Sequence, residues 1–169
     1  MNKQEFAKFA MAMRTCYPKE NILPSTEAMD MWYSLLQDIP YEIASTGLQK
    51  WAMTNKWSPS IAEIREFSVE VKQGQQIDWS EGWQEVQKAI SHFGMYRPDE
   101  AMESMNPLTQ KVVRRLGFQN LCLSESQETD RANFRQIFQA EAEREKKDSQ
   151  ISPRVKELIG GIQTKLIEG

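Results

Sequence analysis

His92 and two cysteines, Cys16 and Cys122, are the only imidazole and thiols in this 169-residue chain. A zinc site needs several nitrogen or sulfur ligands brought together, and one His with two scattered Cys offers no ligand spacing. A Ser, Thr or Cys nucleophile needs a positioned base, and no nucleophile motif surrounds His92. No GxxxxGK[ST] or GxGxxG run is present to cradle phosphates, and Gly160-Gly161 is a lone pair with no strand before it. The two cysteines have no CxxC spacing and read as buried free thiols.

Carboxylates recur at helical spacing: Glu63 with Glu66, Asp99-Glu100 with Glu103, and Glu141, Glu143 and Glu145 beside Arg144. Acid–base work wants two carboxyls in contrasting environments, whereas these sets read as solvated helix faces. No catalytic residue, metal or cofactor is expected. A basic set offers a different chemistry: Lys111, Arg114 and Arg115 fall on one predicted helix, and Arg131 and Arg135 lie one turn apart on the next. Together they could contact phosphates, against a background of acids at Glu125, Glu128 and Asp130.

The elements that would position these groups are helical throughout. Phe6, Phe9, Ala10 and Met13 make one apolar face, ended by Tyr17-Pro18. Ser25 or Thr26 caps a second helix through Asp38, with Met29, Trp32, Leu35 and Leu36 inward. A third runs from Pro40 to about Thr54 on Ile43, Ala44, Leu48, Trp51 and Ala52; Gly47 within it suggests close helix contact. The run Trp57-Ser58-Pro59-Ser60-Ile61-Ala62-Glu63-Ile64-Arg65 then starts a fourth. Ser60 and Glu63 have capping-box spacing, and Ser58 before Pro59 is the alternative cap. Read as the second member of a DNA-binding helix pair, this helix carries Glu63, Glu66 and Glu70 against Arg65 and Lys72, a poor face for DNA.

The polar run Lys72-Gln73-Gly74-Gln75-Gln76 places a linker at 73–77. Asp78 and Glu81 cap the next helix, whose stripe is Trp79, Trp83, Val86 and Ile90. A short helix opens at Pro98 and runs to about Met105. Another opens at Pro107 and stops at Gly117. Phe118, Leu121 and Leu123 should cover that junction. One long helix follows from Ser126 to about Lys147. The tail, 148–169, shows Val155, Leu158, Ile159, Ile162 and Leu166 at helical spacing, broken by Gly160-Gly161, and reads as a marginal helix that folds when docked. The expected architecture is all-α: an N-terminal bundle over 1–72, a second helical region over 78–147, and an amphipathic tail.

Composition narrows the function classes. A net charge of −3, with 27% charged and 40% apolar residues, argues against broad sequence-independent adsorption to DNA. No apolar run is long enough to span a bilayer, and the first residues lack the apolar core of a secretory signal. A soluble protein of the bacterial cytoplasm is expected. Of the five tryptophans, Trp32, Trp51, Trp79 and Trp83 sit on apolar stripes and read as core. Trp57 lies outside the helices. It is either an interface anchor or a hydrophobic staple packed near Ile61 or Ile64.

Residues 1–72 resemble the phage replicative helicase loader/inhibitor family. The resemblance rests on the early Phe/Ala-rich helix ending in Tyr17-Pro18 and on Met31-Trp32-Tyr33-Ser34-Leu35-Leu36-Gln37-Asp38-Ile39-Pro40-Tyr41. It continues through Leu48-Gln49-Lys50-Trp51 into Asn55-Lys56-Trp57-Ser58-Pro59-Ser60-Ile61-Ala62-Glu63-Ile64-Arg65. Ser58 stands where a first proline is common in the family. The resemblance implies a helical adaptor, not an ATPase, that binds a hexameric replicative DNA helicase, restrains it, and delivers it to an origin-binding initiator protein. Its partner-binding candidates are Trp57, Ser58, Pro59 and Glu63, with Val155, Leu158, Ile162 and Leu166 in the tail. In the family a flexible C-terminal portion touches the helicase, whereas residues 78–138 here read as folded. The alternative is a DNA-binding replication initiator or regulator using Lys111, Arg114, Arg115, Arg131 and Arg135.

Overall fold

The structure, a computed structural model, describes residues 1–74 and 77–168. These form helices α1 (Lys3–Cys16), α2 (Thr26–Leu36), α3 (Tyr41–Thr54), α4 (Ile61–Gln73), α5 (Trp79–Phe93), α6 (Pro98–Glu103), α7 (Pro107–Leu116), α8 (Phe118–Leu123), α9 (Gln127–Gln150) and α10 (Pro153–Glu168). No strand occurs among the described residues, and the fold is all-α. The chain divides into two compact units, Met1–Gln75 with Lys146–Gly169, and Gln76–Glu145. Of the linker expected at 73–77, residues 75 and 76 lie outside the described residues. No described helix is long and apolar enough to cross a membrane.

The first unit is built on α1–α4. Asn2 and Glu5 close a capping box at the start of α1, and the apolar face read from sequence is the buried one: Phe6, Phe9, Ala10 and Met13 are all 3% exposed or less. They pack with Leu23, Leu36, Ile39, Ala44, Leu48, Ile64 and Phe67, and Trp32 and Trp51 lie half-buried against this core. Helices α3 and α4 meet closely at Gly47. A Cβ there would stand 2.1 Å from Cδ2 of Phe67, so the ring occupies the space a side chain would need. Leu23, in the loop after α1, adopts φ +52. Arg14 holds that loop by donating to the carbonyls of Ile22, at 3.0 Å, and Leu23.

Arg65 ties three chain segments of this unit together. Its guanidinium forks onto Asp38 at 2.9 and 2.7 Å, donates to the Leu35 carbonyl at 2.7 Å, and donates through Nε to the Gln150 carbonyl. Two of these acceptors lie in the last turns of α2 and α9, where carbonyls lack intrahelical partners. Burial works to raise the Asp38 pKa, but the hydrogen bonds and charge of Arg65 outweigh it and hold the carboxyl below its usual value. Lys146, also in this unit, bridges to Glu66 and Glu70 on α4.

The second unit packs α5–α8 and α9 as far as Glu145 around Val86, Ala89, Ala101, Met105, Leu108, Val112, Val113, Phe118, Leu121, Phe134 and Phe138. Asp78 and Glu81 form the expected capping box on α5, and Gly94 and Gly117 take positive φ at the ends of α5 and α7. Trp79 and Trp83 lie half-buried against the core.

Several expectations need correction. Phe118–Leu123 is a helix of its own, and Leu123 is 63% exposed, covering nothing. The stretch has the helical spacing Phe118/Leu121, too short to signal a helix by periodicity. Helix α2 stops at Leu36, and α9 continues to Gln150. Helix α10 runs unbroken through Gly160-Gly161, since glycine weakens a helix without removing a donor. Cys16 is exposed in the last turn of α1. Cys122 is half-buried, and burial pushes its thiol pKa up.

Candidate functional site

Hydrogen bonds hold the segment between α3 and α4 at Asn55, Trp57 and Ser58, and the Trp57 side chain projects from it. At its start, Asn55 accepts at its carbonyl from the Tyr17 hydroxyl at 3.3 Å, and its side chain donates to the Trp51 carbonyl at 3.2 Å. The Trp51 indole N–H donates to the Trp57 carbonyl at 2.9 Å. Glu20 takes both donors of Ser58, the backbone N–H at 3.0 Å and the hydroxyl. Pro59 is fully buried. Ser60 is the N-cap of α4: the Glu63 N–H donates to its hydroxyl, and its own N–H donates to the Glu63 carboxylate at 2.7 Å.

Against this pinned backbone Trp57 is 72% exposed. A staple covered by Ile61 or Ile64 would be less exposed. Ile64 is fully buried, and Ile61 packs on the core. Met53, four residues earlier, is 84% exposed. The loop's own hydrogen bonds hold the backbone beneath Trp57.

The four N-terminal candidates thus sit in different surroundings. Trp57 faces solvent. Ser58 and Pro59 hold the loop from within, and Ser58 does not cap α4. Glu63 turns back on Ser60, whose backbone N–H and then hydroxyl keep the carboxyl below its ordinary pKa. Glu63 also lines a cavity of about 260 Å³ between α3 and α4, with Trp51 and Phe67 on its apolar side and Glu66, Glu70 and Lys50 around it.

Residues 1–65 match the family model of the phage helicase loader/inhibitor N-terminal domain. The match to this loader/inhibitor domain spans α1–α3, the whole Trp57 loop, and the first residues of α4 as far as Arg65. It agrees with the resemblance expected of residues 1–72. No curated protein and no solved structure matches the chain.

Three of the four tail candidates are exposed. On α10, Leu158 is 57% exposed, Ile162 59% and Leu166 77%, with Ile159 at 43% and Val155 half-buried. The basic candidates of the second unit are not one surface. Lys111 pairs with Glu145, and Arg115 with Glu141, which Arg144 also reaches at 3.2 Å. Arg114 meets Gln110 at 3.4 Å. Arg131 and Arg135 instead lie over the Trp79 ring, 5.3 and 5.0 Å from its centroid.

No group of three or more His, Cys, Asp or Glu residues suited to a metal comes together among the described residues. Sequence reading missed Glu20, Tyr17 and the Trp51 indole as supports of the loop. Their partners lie 6 to 38 residues away, and no local spacing marks them.

Proposed function

We propose that this chain is a non-enzymatic adaptor in phage or prophage DNA replication, working in the bacterial host cytoplasm, that binds a replicative DNA helicase as a loader or inhibitor. An origin-binding initiator protein is its second partner in that role. The reading rests on the match of residues 1–65 to the phage helicase loader/inhibitor N-terminal domain. The observation that carries it is Trp57, exposed on a backbone fixed by Trp51, Glu20 and Tyr17.

The mechanism is stoichiometric binding. Tryptophan is among the residue types enriched at binding hot spots, and little ordering entropy opposes its burial here. The exposed α10 stripe supplies a second contact of the helix-in-groove kind, with Val155, Leu158, Ile162 and Leu166 as its anchors. Gel filtration of the full chain with the host's replicative helicase and ATP tests the proposal. Co-elution at micromolar concentrations is expected; separate elution under those conditions would sink it.

A further inference from the structure

In the second unit, Arg131 and Arg135 differ from Lys111, Arg115 and Arg144, while Arg114 on α7 meets Gln110. Lys111, Arg115 and Arg144 are each engaged by a carboxylate of α9. No carboxylate among the described residues pairs with Arg131 or Arg135. Both are exposed, one turn apart on α9, and both guanidiniums gather over the half-buried Trp79 at the start of α5. Like charges at this helical spacing repel. The Trp79 ring offsets that repulsion through its π face. Beside them is a shallow depression, open to solvent, lined by Trp79, Glu128, Arg131, Ala132 and Arg135.

We infer that this groove is a binding site for single-stranded nucleic acid, one that grips one or two phosphodiesters and a single unpaired base. Two forks at one spot suit phosphate oxygens, which arginine meets bidentately. The contact is short because the surrounding charge is acidic: Glu128 lines the groove itself, and Asp78 and Glu81 flank Trp79 in sequence. A duplex footprint, which needs a run of cations along the backbone, has no support here. An unpaired base can lie against a guanidinium plane, as in single-strand sites that combine arginine with an aromatic. A paired base is already stacked in its duplex. This site goes beyond helicase binding, and its test needs no helicase.

The test is fluorescence anisotropy of a labelled oligothymidylate with the full chain, titrated against salt. Two phosphate contacts predict a slope of log K against log salt of about −1.4. Arg131→Ala with Arg135→Ala, both at exposed positions, is expected to lower affinity at least tenfold with the helical circular dichroism unchanged. Lys111→Gln, at an already paired cation, is expected to change it less than twofold. Glu128→Gln is expected to strengthen binding a few-fold. Equal losses from Lys111→Gln and the double arginine variant would overturn the site, as would weaker binding by Glu128→Gln. So would a duplex of the same length binding as well, or a polyglutamate peptide binding where the oligonucleotide does not.

Discussion

The indole N–H of Trp51 donates to the carbonyl of Trp57 at 2.9 Å, so a half-buried tryptophan at the end of α3 fixes the backbone of an exposed one six residues on. Trp51→Phe keeps most of the ring against Phe67 and removes the donor. It should lower stability by about 1 kcal/mol, read as a shift in urea midpoint. It should also weaken helicase binding, because the Trp57 backbone loses its tether. An unchanged midpoint would show that the bond contributes nothing.

Arg65 is a second internal link of the first unit. Its side chain is 13% exposed and that of Asp38 is 27% exposed. Arg65→Ala strands Asp38 and leaves the Leu35 and Gln150 carbonyls without this donor. We expect a loss of about 2–3 kcal/mol, toward the lower end for a partly solvated pair. Arg65→Lys should recover only part of it, since an ammonium cannot reproduce the fork. Chemical denaturation of the three proteins measures both steps.

Acid should loosen the same unit. Asp38 and Glu63 both have carboxyl pKa values lowered in the folded state. Their contribution is therefore complete above the unfolded values, roughly 3.9 for Asp and 4.3 for Glu. It is lost as pH falls through that range to the lower folded values. Stability measured by denaturant titration at stepped pH should decline on the acid side, and Asp38→Asn should decline less steeply than the parent.

Gly47→Ala tests the close packing of α3 on α4. The added methyl would meet the Phe67 ring, 2.1 Å from Cδ2 and 2.5 Å from Cε2. Ring and helix must shift, which should cost about 1–3 kcal/mol in spite of alanine's better helix propensity. A gain in stability would show that Phe67 moves freely.

The tail gives the opposite expectation for glycine. Nothing lies within 4 Å of a Cβ built at Gly160 or Gly161. Replacing both with Ala should favour the helix by roughly 1 kcal/mol per site, seen as increased ellipticity. If α10 docks as a helix, helicase binding tightens as well.

Much of this fold was legible from periodicity and caps. The α1 face, the Ser60–Glu63 and Asp78–Glu81 boxes, the Gly117 stop and the close approach at Gly47 all follow from local spacing. Leu123 did not: an apolar residue at the end of a six-residue helix carries no phase to say which way it faces. Nor did Cys16, whose type favours burial but which falls in the last turn of α1, one turn past the buried Met13. Residue type alone does not say where the core's cover ends. At the candidate site, the sequence marked Trp57 and left anchor and staple open. The residues that hold its loop, Glu20 and Tyr17, precede it by dozens of residues and reach the loop only through the tertiary fold. The basic residues were grouped by helix spacing alone; in the fold, acids of α9 take Lys111 and Arg115, Gln110 meets Arg114, and Trp79 lies beneath Arg131 and Arg135.

On the proposed reading, Trp57 is the partner-facing anchor of a helicase adaptor. Isothermal titration of the host's replicative helicase, with ATP, into the parent chain and Trp57→Ala tests it most directly. Binding by Trp57→Ala should be weaker by about tenfold or more, as for a hot-spot aromatic, with the urea midpoint unchanged because Trp57 is 72% exposed. Equal affinities for the two proteins, or a variant that loses stability in step with binding, would contradict it.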